Sequence, residues 1–192
     1  MNIHSLHHYL TNLSESEEHY RSGYPFSGWS QLPKVQIHGR EMYRMFPDNL
    51  IFSSMHGENP VSSQNFDIPV GLQDISIKRN SRFNPVPEHV HSHIEINYVY
   101  SGTCPQYIDG KPVLLKKDQV LLIDTDCPHS IDALGENDIM ISMLIRKEFL
   151  RDRMFSQFSK DSVLSRFFVN ALTEQTDHDH YLLFHSEKAI WS

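Results

Sequence analysis

His89-Val90-His91-Ser92-His93-Ile94-Glu95 is the stretch that decides how this chain is read. In an extended strand, successive side chains alternate between faces. Positions 89, 91, 93 and 95 would therefore turn three imidazoles and one carboxylate to the same side. Two imidazoles and a carboxylate on one face are a ligand set that suits Fe, Mn, Ni or Zn. Histidine is abundant here, at 13 of 192 residues, so spacing rather than number has to carry that reading. Gly102 ends the strand seven residues after Glu95. A further imidazole, His129, follows in Asp124-Thr125-Asp126-Cys127-Pro128-His129, just past the strand-like run 119–124, where a turn would aim it back toward the others.

The flanking sequence has the texture of short strands. Leu72 to Lys78 reads as a strand. Ile94 to Ser101 alternates, with Ile94, Ile96, Tyr98 and Tyr100 on one face and Glu95, Asn97 and Val99 on the other. Asp109-Gly110 sits between two strand-like runs, Tyr107-Ile108 and Lys111 to Val113, as the preferred two-residue hairpin turn. Asp138 to Ile145 alternates again. Short strands at this spacing, joined by turns, favour a barrel or sandwich.

Before residue 71 the pattern is weaker. Ile3, Leu6, Leu10 and Leu13 fall at helical spacing, and Ser14 with Glu17 reads as a capping box opening a second helix that stops near Gly23. Residues 22–36 read as loop, residues 39–46 as a brief helix before Pro47, and residues 57–64 as another loop. After Arg146 the period becomes helical: Leu150, Met154, Phe155 and Phe158 share a face. Leu164, Phe167, Phe168, Ala171 and Leu172 then follow the 3.6-residue repeat, capped by Asp161 or Ser162. Residues 173–180 read as loop and 181–184 as a last strand, with a new helix opening at Ser186. The expected organisation is an N-terminal arm over 1–70, a barrel core over 71–146 and C-terminal helices over 147–192.

Net charge is −7, from 17 basic and 24 acidic residues, with no basic cluster of the kind that neutralises phosphates; direct nucleic-acid contact by this chain is not expected. The longest aliphatic run, Val120 to Ile123, is far short of the roughly 20 residues a membrane span needs. No basic stretch followed by an apolar segment opens the chain, so no signal peptide is read. Cys104 and Cys127 read as free thiols, and the expected location is cytoplasmic.

His89-x-His91-x-x-x-Glu95 with Gly102 resembles the first cupin motif in full. Residues 117–129 resemble the second, with Lys117 where a glycine is usual and Asp124-Thr125 where a proline is usual. Together with Ile-Glu-Ile-Asn-Tyr-Val-Tyr-Ser-Gly at 94–102, Val-Leu-Leu-Ile-Asp at 120–124, Pro-His-Ser-Ile at 128–131 and Met143 to Leu150, the text over about 80–184 resembles the sensor half of AraC-type bacterial transcription regulators. The resemblance implies a mainly β, jelly-roll-like cupin barrel with flanking helices. It further implies a domain that senses a small-molecule effector such as a sugar and dimerises, is not itself an enzyme, and controls a helix-turn-helix half that this chain does not contain.

On that reading His89, His91, Glu95 and His129 contact the ligand, directly or through a divalent Zn, Ni, Mn or Fe; the bland alternative is polar lining of the barrel mouth. His93 is expected to be structural. Tyr98, Tyr100 and Tyr107 either line a sugar-sized cavity or pack ordinarily on the opposite face, and Tyr107 is carried as a ligand contact. The helix 164–172 is either a dimer surface or packing for its own barrel. The competing function is a metal-dependent cupin enzyme, an oxygenase or sugar isomerase, using a His-His-Glu-His site.

Overall fold

The computed structural model describes residues 3–45, 74–154, 162–173 and 180–184. Two short helices lead the chain, α1 (Ile3–Thr11) and α2 (Glu15–Arg21), followed by a 3-10 turn at Gly28–Gln31. Eleven strands follow among the described residues: β1 (Lys34–Ile37), β2 (Arg40–Arg44), β3 (Ile75–Arg79), β4 (Val86–Val90), β5 (His93–Ser101), β6 (Thr103–Ile108), β7 (Lys111–Lys116), β8 (Val120–Ile123), β9 (His129–Ile131), β10 (Ile139–Arg146) and β11 (Tyr181–Phe184). A helical turn over Lys147–Phe149 widens into a π turn at Leu150–Met154, and α3 (Val163–Thr173) precedes β11.

The strands form two sheets, in the orders β1-β2-β4-β9-β6-β7 and β11-β8-β5-β10-β3. The chain passes between them repeatedly, from β4 to β5, β5 to β6, β7 to β8 and β8 to β9. The expected mainly β roll with flanking helices is present, as two sheets that do not close into a ring among the described residues. Val99, Leu121, Ile123 and Met140 from the five-stranded sheet meet Cys104, Ile108, Leu115 and Ile131 from the six-stranded sheet in one buried cluster. The two inner faces of alternating strands are what bury this apolar surface.

The outer face of the five-stranded sheet is covered by α3. Ile94, Leu122 and Ile145 pack with Leu150, Phe167, Phe168 and Ala171. The amphipathic stripe read from the sequence therefore lies on its own sheet, while Val163 at the start of the helix is exposed. The cap is Ser162, whose Oγ accepts from the backbone N of Ser165.

Several local expectations are corrected. The brief helix expected over 39–46 is not present among the described residues 39–45: β2 runs antiparallel to β1, with Ile37 opposite Arg40. His38 and Gly39 both take positive φ, 50° and 77°, the two-residue turn that matches strand twist, and Met42 is buried between more open neighbours. The stretch 22–36 is not wholly loop, since it holds the 3-10 turn and most of β1. Strands β1 and β2, which precede residue 71, extend the six-stranded sheet, and β11 is the last strand expected at 181–184. The readings at 57–64, at Phe155 and Phe158, and at Ser186 lie outside the described residues. The Asp109-Gly110 hairpin is as expected, with φ of 48° and 76°.

Gly102 has a steric reason to be glycine. Its φ is +70°, and a Cβ there would run into the Asp138 carboxylate, which accepts from the backbone N of Thr103 and Gly135. At the β7–β8 connection, where the second motif departs from its usual glycine, Asp118 takes φ 65° and its backbone N donates to Val99 O. Aspartate tolerates that conformation better than most residues.

The two leading helices are fastened by one buried carboxylate. Ser14 and Glu17 form the expected capping box. Glu17 is fully buried and also accepts from Arg82 (Nε to Oε1 3.0 Å, a second guanidinium N to Oε2 3.0 Å) and from Arg79 (2.8 Å to Oε2). The same two guanidinium groups donate to the carbonyls of Tyr9, Leu10, Thr11 and Asn12, at and just beyond the end of α1, which helix geometry leaves without internal donors. Burial alone would raise the Glu17 pKa, but the Arg82 hydrogen bonds, the Ser14 N–H and the Arg79 charge outweigh it and hold the carboxyl below its ordinary value. Its stabilisation is therefore present above the unfolded pKa of about 4.3 and is lost as pH falls through the lower folded value. Glu17→Ala leaves two buried guanidinium groups facing each other and is expected to cost about 3–5 kcal/mol in urea unfolding; a loss below about 1 kcal/mol would show that the clamp does not hold the helices.

Candidate metal and ligand site

The site is built where strands from both sheets meet. The odd-numbered side chains of 89–95 do not come from one strand. β4 ends at Val90 in the six-stranded sheet, and β5 begins at His93 in the other. His91 sits on the link between them. Glu95 reaches inward from β5, where it pairs in register with Ile123 of β8. His129 opens β9, opposite His89 of β4. One ligand atom from each of His89, His91, Glu95 and His129 lies within 4.8 Å of the others.

All four are core residues rather than lining of a mouth, with exposures of 1–3%. The imidazoles are fixed from behind. Nδ1 of His89 donates to Pro87 O at 2.9 Å, Nδ1 of His91 to His93 O at 3.0 Å, and Nδ1 of His129 to Cys127 O at 2.8 Å. A carbonyl can only accept, so each Nδ1 carries the proton and each Nε2 is left as the ligand atom. Glu95 Oε2 lies 2.9 Å from His91 Nε2 and 3.1 Å from His129 Nε2.

This geometry sets a proton requirement. Both Nε2–carboxylate contacts need a positive partner between lone pairs. Without a metal, only a proton held between the two atoms of each contact can serve. Burial works against it: desolvation holds the pKa of His89 well below its usual range and that of His91 below it as well, although the Glu95 hydrogen bond lifts the latter. Glu95 feels the same burial, which would raise its pKa, but the hydrogen bonds from His129 and His91 outweigh it and keep the carboxylate ionised. A divalent cation would meet both contacts with the imidazoles neutral.

The donor set fits such an ion. Three imidazole nitrogens and one carboxylate oxygen suit the divalent ions named above. His89, His91, Glu95 and His129 would hold the metal, which would offer a Lewis-acid centre to a ligand's oxygen.

The structure separates the other candidates from this group. His93 is buried and packs its ring edge-on to His91 with centroids 6.4 Å apart, outside the four-atom cluster. Tyr107 corrects the expectation that it contacts a ligand in the interior. On β6 the inward positions are Cys104, Gln106 and Ile108, and alternation turns Tyr107 outward, where it is 43% exposed. Tyr98 and Tyr100 also lie on the outer face of β5, where Tyr98 donates to Asp118 and Tyr100 bonds His7 of α1.

Two features went unread in the sequence. Trp29, with Phe26 and Tyr43 against it, brings an aromatic ring to 6.1 Å from the His89 ring and walls that side of the cluster. Inside the roll a polar chain also runs from Asn80 to Ser142 to Asn97 to Gln106. The inward face of β5 already showed Asn97, but Asn80, Ser142 and Gln106 join it only through strand pairing. Lys78 belongs to the same face, since it pairs with Ser142, which pairs with Asn97.

Acid is expected to unfold the metal-free protein early. His89 and His91 have folded pKa values below the unfolded value of about 6.5, so the unfolded state binds more protons there, and Glu95 adds the same sign at lower pH. With a chelator present, the midpoint temperature should fall as pH goes from 7 to 5, and His89→Ala should flatten that slope. A midpoint that rises with acid would contradict the buried neutral imidazoles.

Residues 77–161 match the family model of the AraC-like ligand binding domain. No curated protein matches the sequence. Similar solved structures include a cupin protein from Bacteroides fragilis, 21% identical over 39% of this chain and 68% of that one, with a TM-score of 0.33. A cupin 2 conserved barrel domain protein from Leptotrichia buccalis is 24% identical over 41% of this chain and 38% of its own, with a TM-score of 0.35. ToxT from Vibrio cholerae is 13% identical over 59% of this chain, with a TM-score of 0.40, and the chain covers 42% of its length. The matched segment contains all four cluster residues, so the similarity to the AraC-like ligand binding domain spans the whole cluster.

Proposed function

We propose that this chain is the effector-sensing domain of a transcription regulator. A small molecule is received at His89, His91, Glu95 and His129, directly or through a divalent metal. One observation carries this: the family match to a ligand binding domain encloses a buried, pre-oriented cluster of four polar side chains drawn from both sheets. Such a cluster costs stability unless something occupies it, since buried polar groups need partners of complementary charge. An occupant therefore favours whichever arrangement of the two sheets brings the four together, and a ligand that prefers one arrangement shifts the population toward it.

The reading extends to a homodimer in the cytoplasm, a sugar-like effector, and output through a helix-turn-helix segment outside this sequence. Cys104 and Cys127 suit a reducing compartment as inert fillers: both are buried, and burial pushes each thiol up to about 12. The described helices include none long and apolar enough to cross a membrane.

A second reading, a metal-dependent cupin enzyme, is favoured by one feature: one ligand atom from each of the four residues lies within 4.8 Å of the others. A single set of experiments separates the two. Protein purified without a tag is analysed for metals, then screened by thermal shift against sugars and small organic acids, with and without Zn, Ni, Mn and Fe. The sensor reading expects a saturable rise in melting temperature with a compound that is recovered unchanged, and loss of the rise in Glu95→Gln. Turnover of the compound by metal-loaded protein would establish the enzyme instead.

A further inference from the structure

A cavity of about 270 Å³ is bounded by residues next to His91 in the chain, and none of the four cluster residues lines it. It lies at the ends of three neighbouring strands. Ser92 and His93, where β5 begins, form its floor. The sheet order β8-β5-β10 puts the two remaining walls on opposite sides of that floor: Thr125 and Asp126 follow β8, while Arg146 ends β10 and Lys147 and Glu148 follow it.

The walls differ in charge. On the β8 side stands the Asp126 carboxylate, whose Oδ1 accepts from Arg44 at 2.9 Å, which leaves Oδ2 as a second acceptor. On the β10 side two cations stand with one carboxylate, and the Arg146 Nε to Glu148 Oε2 separation of 3.8 Å is too long for a hydrogen bond. The Ser92 and Thr125 hydroxyls add polar contacts near the floor. The volume is below the range of about 300–1,000 Å³ that takes drug-sized ligands, so the occupant is small.

We propose that this cavity binds a free amino acid as its zwitterion, with the ammonium toward Asp126 and the carboxylate toward Arg146 and Lys147. The site is separate from the cluster, yet joined to it. Asp126 N donates to His91 O at 2.8 Å, and His91 Nδ1 donates to His93 O. Asp126 on the β8 side therefore holds the backbone of a cluster residue, and His93 on the floor holds its imidazole ring.

The test is an NMR titration of the full 192-residue chain with a chelator present, so that metal at the cluster plays no part. The probes are the L-amino acids from glycine up to glutamine in size. Ethanolamine and 3-hydroxypropionate serve as the single-charge counterparts of serine. Saturable amide shifts at 92–93, 125–126 and 146–148 are expected for at least one amino acid, with the single-charge compounds weaker by about tenfold or more. Asp126→Asn should weaken binding by a similar factor while folding normally. Its φ is 54°, which asparagine tolerates, and the Arg44 pair is half-exposed. Lys147→Met should also weaken binding and gives an independent check. The proposal is overturned by no saturation with any probe, by shifts that map elsewhere, by equal binding of the single-charge compounds, or by binding that survives both substitutions.

Discussion

Three backbone carbonyls, those of Pro87, His93 and Cys127, fix what the centre of this protein can be. By accepting a hydrogen bond from the Nδ1–H of each imidazole, they turn three Nε2 atoms toward one point and toward the Glu95 carboxylate. The rest of the roll supplies what those bonds need. The two sheets must approach closely enough for β4 and β9 to face β5. The apolar cluster of Val99, Cys104, Ile108, Leu121, Ile123 and Met140 provides the burial that holds them there. The same burial makes the imidazoles reluctant to charge. Packing energy is thus converted into a demand for a cationic or hydrogen-bonding occupant.

Around this centre the chain is tied down by elements that use different chemistry. On the outer face of the five-stranded sheet the contact is apolar, with Phe167, Phe168 and Ala171 of α3 set on Ile94, Leu122 and Ile145. At the other end it is ionic. Glu17 collects Arg79 and Arg82, and those two residues also satisfy the carbonyls at the end of α1. The N-terminal helices are short and have little apolar surface to bury, so a pair of forked cations does what packing does for α3. The 3-10 turn that follows brings Trp29 against His89. The N-terminal segment therefore touches the cluster, and an occupant there would be felt by it.

Much of the site was legible in the residues themselves because it obeys local rules. The spacing of His89, His91 and Glu95 and the return of His129 named the four cluster members. Asp109-Gly110 named its hairpin, and Ser14 with Glu17 named its capping box. Errors fell where one pattern allowed two conformations. Residues 39–46 have few apolar positions, and the His38-Gly39 turn is weaker as a signal than Asn-Gly or Asp-Gly, so their sequence does not distinguish a helix from the strand β2. For Tyr107 the sequence allows either cavity lining or packing on the opposite face, and the register of β6 against β7 and β9 turns it to solvent.

The amino-acid order alone determined which chemistry could be assembled: the donor types, the strand periodicity that pairs odd with odd, and the glycine at 102. Tertiary structure decided what that chemistry faces. His89 and Glu95 belong to different sheets, so their meeting depends on how the chain crosses from one to the other. The interior partners Asn80, Ser142, Gln106 and Trp29 come from strands and turns far away in sequence. Local alternation specifies a face for each side chain, but only the pairing and stacking of strands specifies which faces oppose one another, because those contacts are settled by burial summed over the whole chain.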